Sequence, residues 1–521
     1  MKGTTNNEIS ASLNLLAKSS LIVFGGVLFS KIFTYLYRVI IARSLGPQEY
    51  GIFSLAAVIL GLFISLSFIG TSEGIIMHTS IYRAVNKINR IKYLYKLSIR
   101  IIFTFSIIFG AIMFLSSGYL ATNIFNSPAL ITYLKIFSFL VPISVISIIY
   151  LNFLRAYEKI KEFSFVFNIL QNIFKLGTLI FIILLGIKIN PVITSYFAGI
   201  LLMGIFVYYY CRMKIPELFG KDNLKENERK NIRLAFFSYS WPLFFSGLFY
   251  SIFYWIDSLS LGYLKGVTEV GFYNAAAPIA LLLMLTPDLF MQLFLPLITG
   301  INSRKRFKVV EQVSKQVNKW IFAVNLPLLV LIIVFPINII NFLFGDQYLI
   351  AGKSLIILSL GLFIYSLSMV SNQLLLMKGK SKIIMLNILA SSVLNLILNF
   401  ILIPIDNIMS IDNSNGLVGA SIATSISVMF LSVLFFIQGK RYANIIPLRR
   451  KMFKIVIFSL PAIALLYYLK SKMIINIYTM MLLSCIFIIF YAILIFVTKS
   501  ADNNDWNIIK AVWIKMKGKI V

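Results

Sequence analysis

Six ionisable residues stand inside stretches of sequence that are otherwise apolar enough to cross a membrane. They are the bases Lys31, Arg38, Lys135 and Lys175 and the acids Asp257 and Asp288. A charged side chain in hydrocarbon is costly, so such residues usually face a cavity or a partner. Because the bases outnumber the acids and lie in the first half of the chain, the pattern favours an anionic ligand. Phosphate or pyrophosphate fits, since Lys and Arg supply charge-assisted hydrogen bonds.

Spacing and depth separate these residues into two groups. Lys31 and Arg38 are seven residues apart, which places them on one face of a helix. Lys31, Lys175 and Asp288 lie deep within their apolar stretches, and this depth predicts that they line a polar cavity.

The other three residues lie near the ends of their apolar stretches, where a second interpretation stays open. Arg38 and Lys135 can reach the membrane surface by extending their side chains along the helix. Asp257 can pair with a nearby base. We therefore predict Lys31, Arg38, Lys135 and Lys175 as substrate-binding residues, with Asp257 and Asp288 serving in charge pairing or ion coupling.

The composition indicates an integral membrane protein. Of the 521 residues, 59% are hydrophobic and 13% are charged, and the mean hydropathy is +0.90. A soluble protein has about 45–50% apolar and about 25% charged residues. The net charge of +30 would suggest nucleic acid in a soluble protein. Here the basic residues flank apolar stretches, as expected of membrane topology, so no nucleic-acid partner is predicted.

A membrane helix needs about 20 apolar residues, and this length predicts about fourteen spans in an all-α fold. The predicted spans are 17–41, 51–71, 99–119, 131–154, 163–187, 191–211, 234–261, 272–299, 320–344, 354–377, 381–404, 416–438, 452–470 and 475–498. Loops after even-numbered spans, together with the tail, hold roughly 35 Lys and Arg residues, and loops after odd-numbered spans hold roughly 6. This asymmetry predicts a multi-pass protein of the plasma membrane with both termini cytoplasmic.

Two segments of the chain resemble each other at a nearly constant offset. RSLGPQEYGIFSLAA, from Arg43, matches GYLKGVTEVGFYNAAA, from Gly262, when shifted by 220 residues, and the starts of spans 5 and 11 match at a shift of 219. These matches predict a duplicated unit of six helices. Because six is even, both copies share one orientation, and an axis near the membrane normal relates them.

The duplication divides the chain into four predicted regions. They are an N-terminal six-helix lobe at 1–211, a cytoplasmic linker at 212–233, a C-terminal six-helix lobe at 234–440, and two peripheral helices with a basic cytoplasmic tail at 441–521.

The sequence argues against enzymatic chemistry. It has two cysteines, Cys211 and Cys485, and one histidine, His78, which disfavours a metal site or a Ser-His triad. The longest polar segments are too short for a catalytic domain, and no glycine-rich phosphate loop is present. We therefore expect no enzyme activity, no bound metal and no cofactor.

Four motifs together resemble the polysaccharide exporters of the O-antigen flippase type. These exporters belong to the superfamily of multidrug, oligosaccharidyl-lipid and polysaccharide exporters. The motifs are ARSLGPQEYGIFSLAA (from Ala42), DSLSLGYLKGVTEVGFYNAAAPIA (from Asp257), FGDQYLIAGKSLIIL (from Phe344), and NLILNFILIPIDN followed by NGLVGASIAT (Asn395 to Thr424). The sequence departs from the family pattern at His78, where many relatives carry arginine.

The resemblance implies two six-helix lobes that alternate in access and flip a polyprenyl-(pyro)phosphate-linked oligosaccharide to the outer leaflet for surface glycan synthesis. It also implies that basic cavity residues hold the lipid phosphates, and Lys31 and Arg38 match that role. Two alternatives stay open, a cation-coupled multidrug exporter and a flippase for a peptidoglycan lipid precursor. The candidate partners are the lipid-linked oligosaccharide, membrane lipids, a coupling ion (H⁺ or Na⁺), and a glycan polymerase or glycosyltransferase.

The alternation of basic loops predicts which side of the membrane each loop faces. Single cysteines at Lys188 and Lys265 are expected to react with a membrane-impermeant thiol reagent added outside intact cells. Cysteines at Lys221 and Lys305 are expected to react only after the membrane is permeabilised. Labelling of the second pair from outside would reject the topology.

Overall fold

Long apolar helices form almost all of the part of the chain that the structure describes, because a helix satisfies its own backbone hydrogen bonds where no water is available. The computed structural model describes residues 2–186, 190–408 and 411–498 and, with four exceptions, their side chains from Ser30 onward. The predicted tail at 499–521 and the loop residue Lys188 lie outside the described residues.

The helices of the first half of the described chain are α1 (Lys2–Phe68), α2 (Thr71–Ala84), α3 (Ile88–Tyr119), α4 (Leu130–Ala156), α5 (Ile160–Ser164), α6 (Gln171–Leu184), α7 (Pro191–Lys214) and α8 (Glu226–Leu264). Those of the second half are α9 (Val267–Ala280), α10 (Leu285–Ser303), α11 (Phe307–Val334), α12 (Pro336–Phe344), α13 (Gly352–Met377), α14 (Ser381–Leu402), α15 (Leu417–Ala443), α16 (Arg450–Lys472) and α17 (Ile477–Val497). A hairpin of two short antiparallel strands, β1 (Asn407–Ile408) and β2 (Ile411–Asp412), links α14 to α15.

Twelve helical segments among the described residues are long and apolar enough to cross a membrane. The first, Ser30–Phe68, contains parts of both predicted spans 1 and 2, which α1 joins through a kink at Gly46. Predicted span 7 lies within α8. The prediction of an all-α membrane protein is confirmed, and the count of fourteen spans stays a prediction.

Close packing divides the chain into two units, one from Gly26 to Gly271 and one made of residues up to Gly25 and from Phe272 onward. The core of the first unit joins α2, α3, α4, α7 and α8. Its fully buried side chains include Ile75, Leu94, Phe153 and Val207. Between lipid-solvated helices this packing acts through van der Waals contact, since lipid tails are as apolar as the side chains. The predicted lobes at 1–211 and 234–440 stay a prediction.

The segment between α7 and α8 is tied to α3 at the end that we predict to be cytoplasmic. Asp222 accepts hydrogen bonds from Lys96 Nζ at 3.0 Å and from Arg229 Nη2 at 2.9 Å. Burial acts to raise the pKa of Asp222, but the bonds and charges of Lys96 and Arg229 outweigh it and hold the pKa below its usual range. Much of the predicted linker at 212–233 is therefore ordered against the unit.

In the second unit α13 packs tightly against α15. A Cβ on Gly361 would lie 2.6 Å from Ser425 Cα, and Ser425 Oγ donates to Ile357 O at 2.7 Å. The C-terminal helices α16 and α17 pack on α11 and α12 through a separate apolar cluster that includes Phe335 and Phe487. Most other side chains of these two helices are half-buried or exposed, as expected of peripheral helices.

The short helix α2 lies against α8 through glycines and one histidine. A Cβ on Gly70, whose φ is 71°, would lie 2.3 Å from Ser240 O and 2.4 Å from Phe244 N, so only glycine permits this approach, and Gly74 lies against Ser240 Oγ. His78 is 8% exposed, and its ring lies 5.8 Å from the ring of Tyr239 and 6.0 Å from that of Phe236. Burial lowers the pKa of His78 below the ordinary value of 6.5, although the hydrogen bond with the backbone of Ala235 opposes the shift.

Acidification is expected to weaken the contact between α2 and α8. Because the pKa of His78 is lower in the folded state, the unfolded chain binds more protons once the pH falls below about 6.5. Stability is therefore lost in that range. The melting temperature of the purified wild type should fall relative to that of His78→Gln between about pH 7.5 and about pH 5.5. Parallel pH profiles for the two proteins would show that His78 does not titrate in this contact.

Candidate functional site

Lys175 lies in the first unit and is held over an aromatic ring. It belongs to α6, directly after a π-helical turn at Phe165–Leu170, and is 8% exposed. Its Nζ lies 3.9 Å from the ring centroid of Tyr196 on α7. Gly199, one helical turn further along α7, leaves space for the lysine, since a Cβ there would lie 2.3 Å from Lys175 Cγ. A desolvated cation over an aromatic face gains about 2 kcal/mol.

Aromatic contacts from two other helices position Tyr196. Phe137 of α4 stacks on it with ring centroids 5.1 Å apart, and Phe53 of α1 meets it edge-on at 5.4 Å. The neighbouring Ser195 Oγ lies 3.0 Å from the hydroxyl of Tyr37 on α1. Helices α1, α4 and α7 thus meet at the ring over which α6 places the ammonium of Lys175.

Arg38 brings a second positive charge to the same region from α1. The residue is half-buried, and its Nη1 donates a hydrogen bond to the Tyr50 hydroxyl at 3.4 Å. Its charge acts on Lys175 and on Tyr196, and Tyr35 and Tyr254 lie within electrostatic range of the guanidinium. Tyr37, the residue before Arg38, contacts Ser195, the residue before the Tyr196 ring that lies under Lys175, so the structure places the two bases on neighbouring helices.

Two neighbouring cations repel each other, and an anion placed between them removes that repulsion. Arg38 offers several N–H donors in a plane, Lys175 offers a compact ammonium, and the tyrosine hydroxyls both donate and accept. This set of groups suits a phosphate or diphosphate, whose oxygens can accept from more than one donor at once. Hydrogen bonds to charged groups contribute about 1.5–3 kcal/mol each.

The motif ARSLGPQEYGIFSLAA, which contains Glu49, connects this region to the N-terminal end of α7. Glu49 Oε2 accepts a hydrogen bond from the Tyr133 hydroxyl at 2.9 Å, and Asn190 Nδ2 donates to the same hydroxyl at 3.1 Å. Asn190 Oδ1 also caps α7 by accepting from the backbone N–H of Val192 at 3.0 Å. The motif thus orders the helices that carry the site.

The remaining predicted residues occupy different surroundings. Lys31 is exposed on the helical face of α1 that carries Arg38. Lys135 is exposed on α4, with its Nζ 5.7 Å from the ring centroid of Phe114. Asp257 is 5% exposed on α8 of the first unit, and Asp288 is exposed in the first turn of α10 of the second unit.

No sequence pattern identified Tyr196, Gly199 or Tyr50 as part of the candidate site. Tyr196 and Gly199 are three residues apart and so share one face of α7, but such a pair is common in membrane helices. Tyr50 lies within the motif ARSLGPQEYGIFSLAA, and its place in that motif was the sequence feature that could have identified it.

Two family models match the chain. The model described as "Polysaccharide biosynthesis protein" matches residues 16–301, and the model described as MatE matches residues 242–401. A Shigella flexneri protein named provisionally as an O-antigen transporter is 23% identical over 407 residues, which cover 76% of this chain and 90% of that protein. A Haloferax volcanii protein named provisionally as a low-salt glycan biosynthesis flippase is 28% identical over 214 residues, covering 41% of this chain and 43% of the relative.

Solved structures with the same fold include the lipid II flippase MurJ in an inward closed conformation. That structure has a TM-score of 0.69 at 19% identity and covers 91% of this chain and 98% of its own. An inward-facing multidrug resistance transporter of the MATE family has a TM-score of 0.66 at 14% identity, covering 80% of this chain and 94% of its own.

The space that Gly199 leaves for Lys175 predicts a coupled pair of substitutions. Gly199→Ala is expected to lower stability by about 1–3 kcal/mol, because the added methyl overlaps the lysine stem. Lys175→Ala in the same chain should relieve most of that loss, and thermal unfolding of the purified variants measures both effects. Gly177→Ala on α6 is the matched control, since a Cβ there meets nothing within 4 Å. Additive losses in the double variant would contradict the contact.

Proposed function

Because this chain belongs to the polysaccharide biosynthesis protein family, we propose that it flips a polyprenyl-(pyro)phosphate-linked oligosaccharide across the plasma membrane. The glycan begins at the cytoplasmic leaflet and ends at the outer leaflet, where it serves surface glycan synthesis. Both chain termini are cytoplasmic in this proposal, in keeping with the basic loops.

One observation carries the proposal, namely that the part of α1 that bears Arg38 contacts Ser195 and Tyr196, the ring over which Lys175 lies, in the membrane-spanning part of the first unit. A charge at the centre of a membrane helix costs about 2.5–3.5 kcal/mol, so the buried Lys175 needs a compensating role. A diphosphate supplies the complementary charge. Lys31 lies on the same face of α1 as Arg38, seven residues earlier, and adds a third base to the path of the phosphates.

The mechanism we propose uses several contacts of moderate strength instead of one site of very high affinity. The phosphates must leave water on one side and be released on the other, which a site of very high affinity would prevent. Alternating access exposes the bases first to the cytoplasmic side and then to the outer side. Asp257 would orient the bases of the first unit, and Asp257 or Asp288 would couple the cycle to H⁺ or Na⁺.

The names of the two curated relatives support a glycan cargo over a drug. One is named as an O-antigen transporter and the other as a glycan biosynthesis flippase. The alternatives are a cation-coupled multidrug exporter and a flippase for a peptidoglycan lipid precursor. A cationic drug would meet repulsion from Arg38 and Lys175, so this pair disfavours the first alternative. The proposal also includes contact with a glycan polymerase or glycosyltransferase, which would supply the lipid-linked cargo or remove it after transport.

The proposal predicts that the purified protein prefers an anionic lipid to a neutral or cationic one. A polyprenyl pyrophosphate should raise its melting temperature, whereas the matching polyprenol and a lipophilic cation should not. Arg38→Gln and Lys175→Gln should each weaken binding by about 10-fold or more, as expected for the loss of one hydrogen bond to a charged group. Arg38→Lys keeps the charge and should retain part of the affinity.

The same variants should accumulate cytoplasmic lipid-linked glycan in cells that depend on the protein, while inserting in normal amounts. Arg100→Gln is the control, because it removes an exposed base of α3 that has no proposed role in binding, whereas Lys31→Gln should reduce transport less than Arg38→Gln does. Equal binding of the three lipids, or normal transport by both Arg38→Gln and Lys175→Gln, would reject the anion site.

A further inference from the structure

Two glycines break their helices at equivalent places of the predicted repeat. Gly46 has a φ of 80° and kinks α1, and Gly266 has a φ of 123° between α8 and α9. They are separated by 220 residues, the offset that relates the two motifs. Positive φ is readily available only to glycine, so both copies of the repeat place a backbone break at this point.

The helical turns that follow these glycines contact each other reciprocally. A Cβ on Gly51 would lie 1.8 Å from Val267 O, and a Cβ on Gly271 would lie 2.1 Å from Pro47 O. Adding 220 to 47 gives 267, and adding 220 to 51 gives 271, so each contact is the other with its partners exchanged. Such exchange is what a local two-fold axis produces.

The contact is made of backbone, and it excludes every side chain larger than hydrogen. The two hypothetical Cβ atoms would also lie 3.0 Å from Gly271 N and 3.1 Å from Gly51 N, so the two glycines face each other. A seam of this kind has no interlocking side chains that must be repacked when it separates. It is therefore suited to opening and closing repeatedly.

One residue connects this seam to the anion site. Tyr50 precedes Gly51, is fully buried, and accepts the hydrogen bond from Arg38 Nη1 at 3.4 Å. A displacement of Gly51 must move Tyr50 relative to Arg38. Conversely, an anion that draws the guanidinium toward itself weakens the bond to Tyr50 and so acts on the seam.

We propose that the paired segments 46–51 and 266–271 form the closure of the site at the predicted outer side, and that Tyr50 couples this closure to occupancy of Arg38. The two segments follow odd-numbered spans, which the basic-loop alternation places outside. This inference rests on the proposed function, since a closure of this kind is needed only if a cargo leaves the site there. The flanking glycines give each segment the freedom to move about its break.

The test measures how easily the site is reached from outside. Tyr254→Cys, at an exposed position of α8 within electrostatic range of Arg38, serves as the reporter in a chain whose Cys211 and Cys485 are changed to Ser. Gly51→Ala or Gly271→Ala should raise its rate of reaction with an external impermeant maleimide at least about 5-fold, a coupling of ordinary allosteric size. Gly118→Ala is the control, since a Cβ there meets nothing within 4 Å, and it should leave the rate unchanged.

Tyr50→Phe tests the coupling and keeps the packing of the ring. In the parent reporter chain a polyprenyl pyrophosphate should change the labelling rate, and in Tyr50→Phe it should still bind but change the rate little. If Gly51→Ala and Gly271→Ala fold and are labelled at the parent rate, the proposed closure is wrong. If both variants fail to fold, the proposal is also wrong, because the seam is then a permanent structural contact. Because the alanine effect is measured without lipid, it can hold even if the polyprenyl pyrophosphate fails to bind and the proposed function falls.

Discussion

Holding a lysine charge inside a membrane-spanning bundle is the constraint on which the first unit depends. The ammonium of Lys175 lies 3.9 Å from the centre of the Tyr196 ring, and Gly199 supplies the space that lets the lysine stem reach it. The π-helical turn at Phe165–Leu170 widens the helix shortly before Lys175. Because the ring is fixed by Phe53 and Phe137, helices α1, α4 and α7 share in placing one charge.

This arrangement differs from a salt bridge in a way that matters for transport. An acidic partner would neutralise the lysine permanently, whereas an aromatic face stabilises the cation and leaves its charge to act on an incoming ligand. Arg38 is placed similarly, with a neutral hydroxyl, that of Tyr50, as acceptor. In the contacts described, these neutral partners hold the two bases and leave their electrostatic attraction for an anion in place.

The sequence predicted the all-α membrane fold, because composition and helix length follow directly from bilayer thickness, and the family match at residues 16–301 confirms the resemblance based on its motifs. The sequence selected Lys175 by its depth and Arg38 by its spacing from Lys31, and their role in binding stays a prediction. It could not tell that Lys31 is exposed, because helical spacing shows which residues share a face and not which face is covered. The role of Gly199 depends on contact between two helices, which no single-helix pattern records.

The repeat shows most clearly what a sequence pattern can and cannot supply. The offset of 220 aligned Gly51 with Gly271, but similarity alone could not distinguish a shared ancestor from a shared contact. In the structure the two glycines face each other, so the same substitution would damage both copies of the motif at one place. A duplicated segment whose copies pack together on a local two-fold axis is constrained twice, by its own fold and by its partner. That double constraint gives a physical reason for the motif to keep glycine at both positions, although most other residues of the two copies differ.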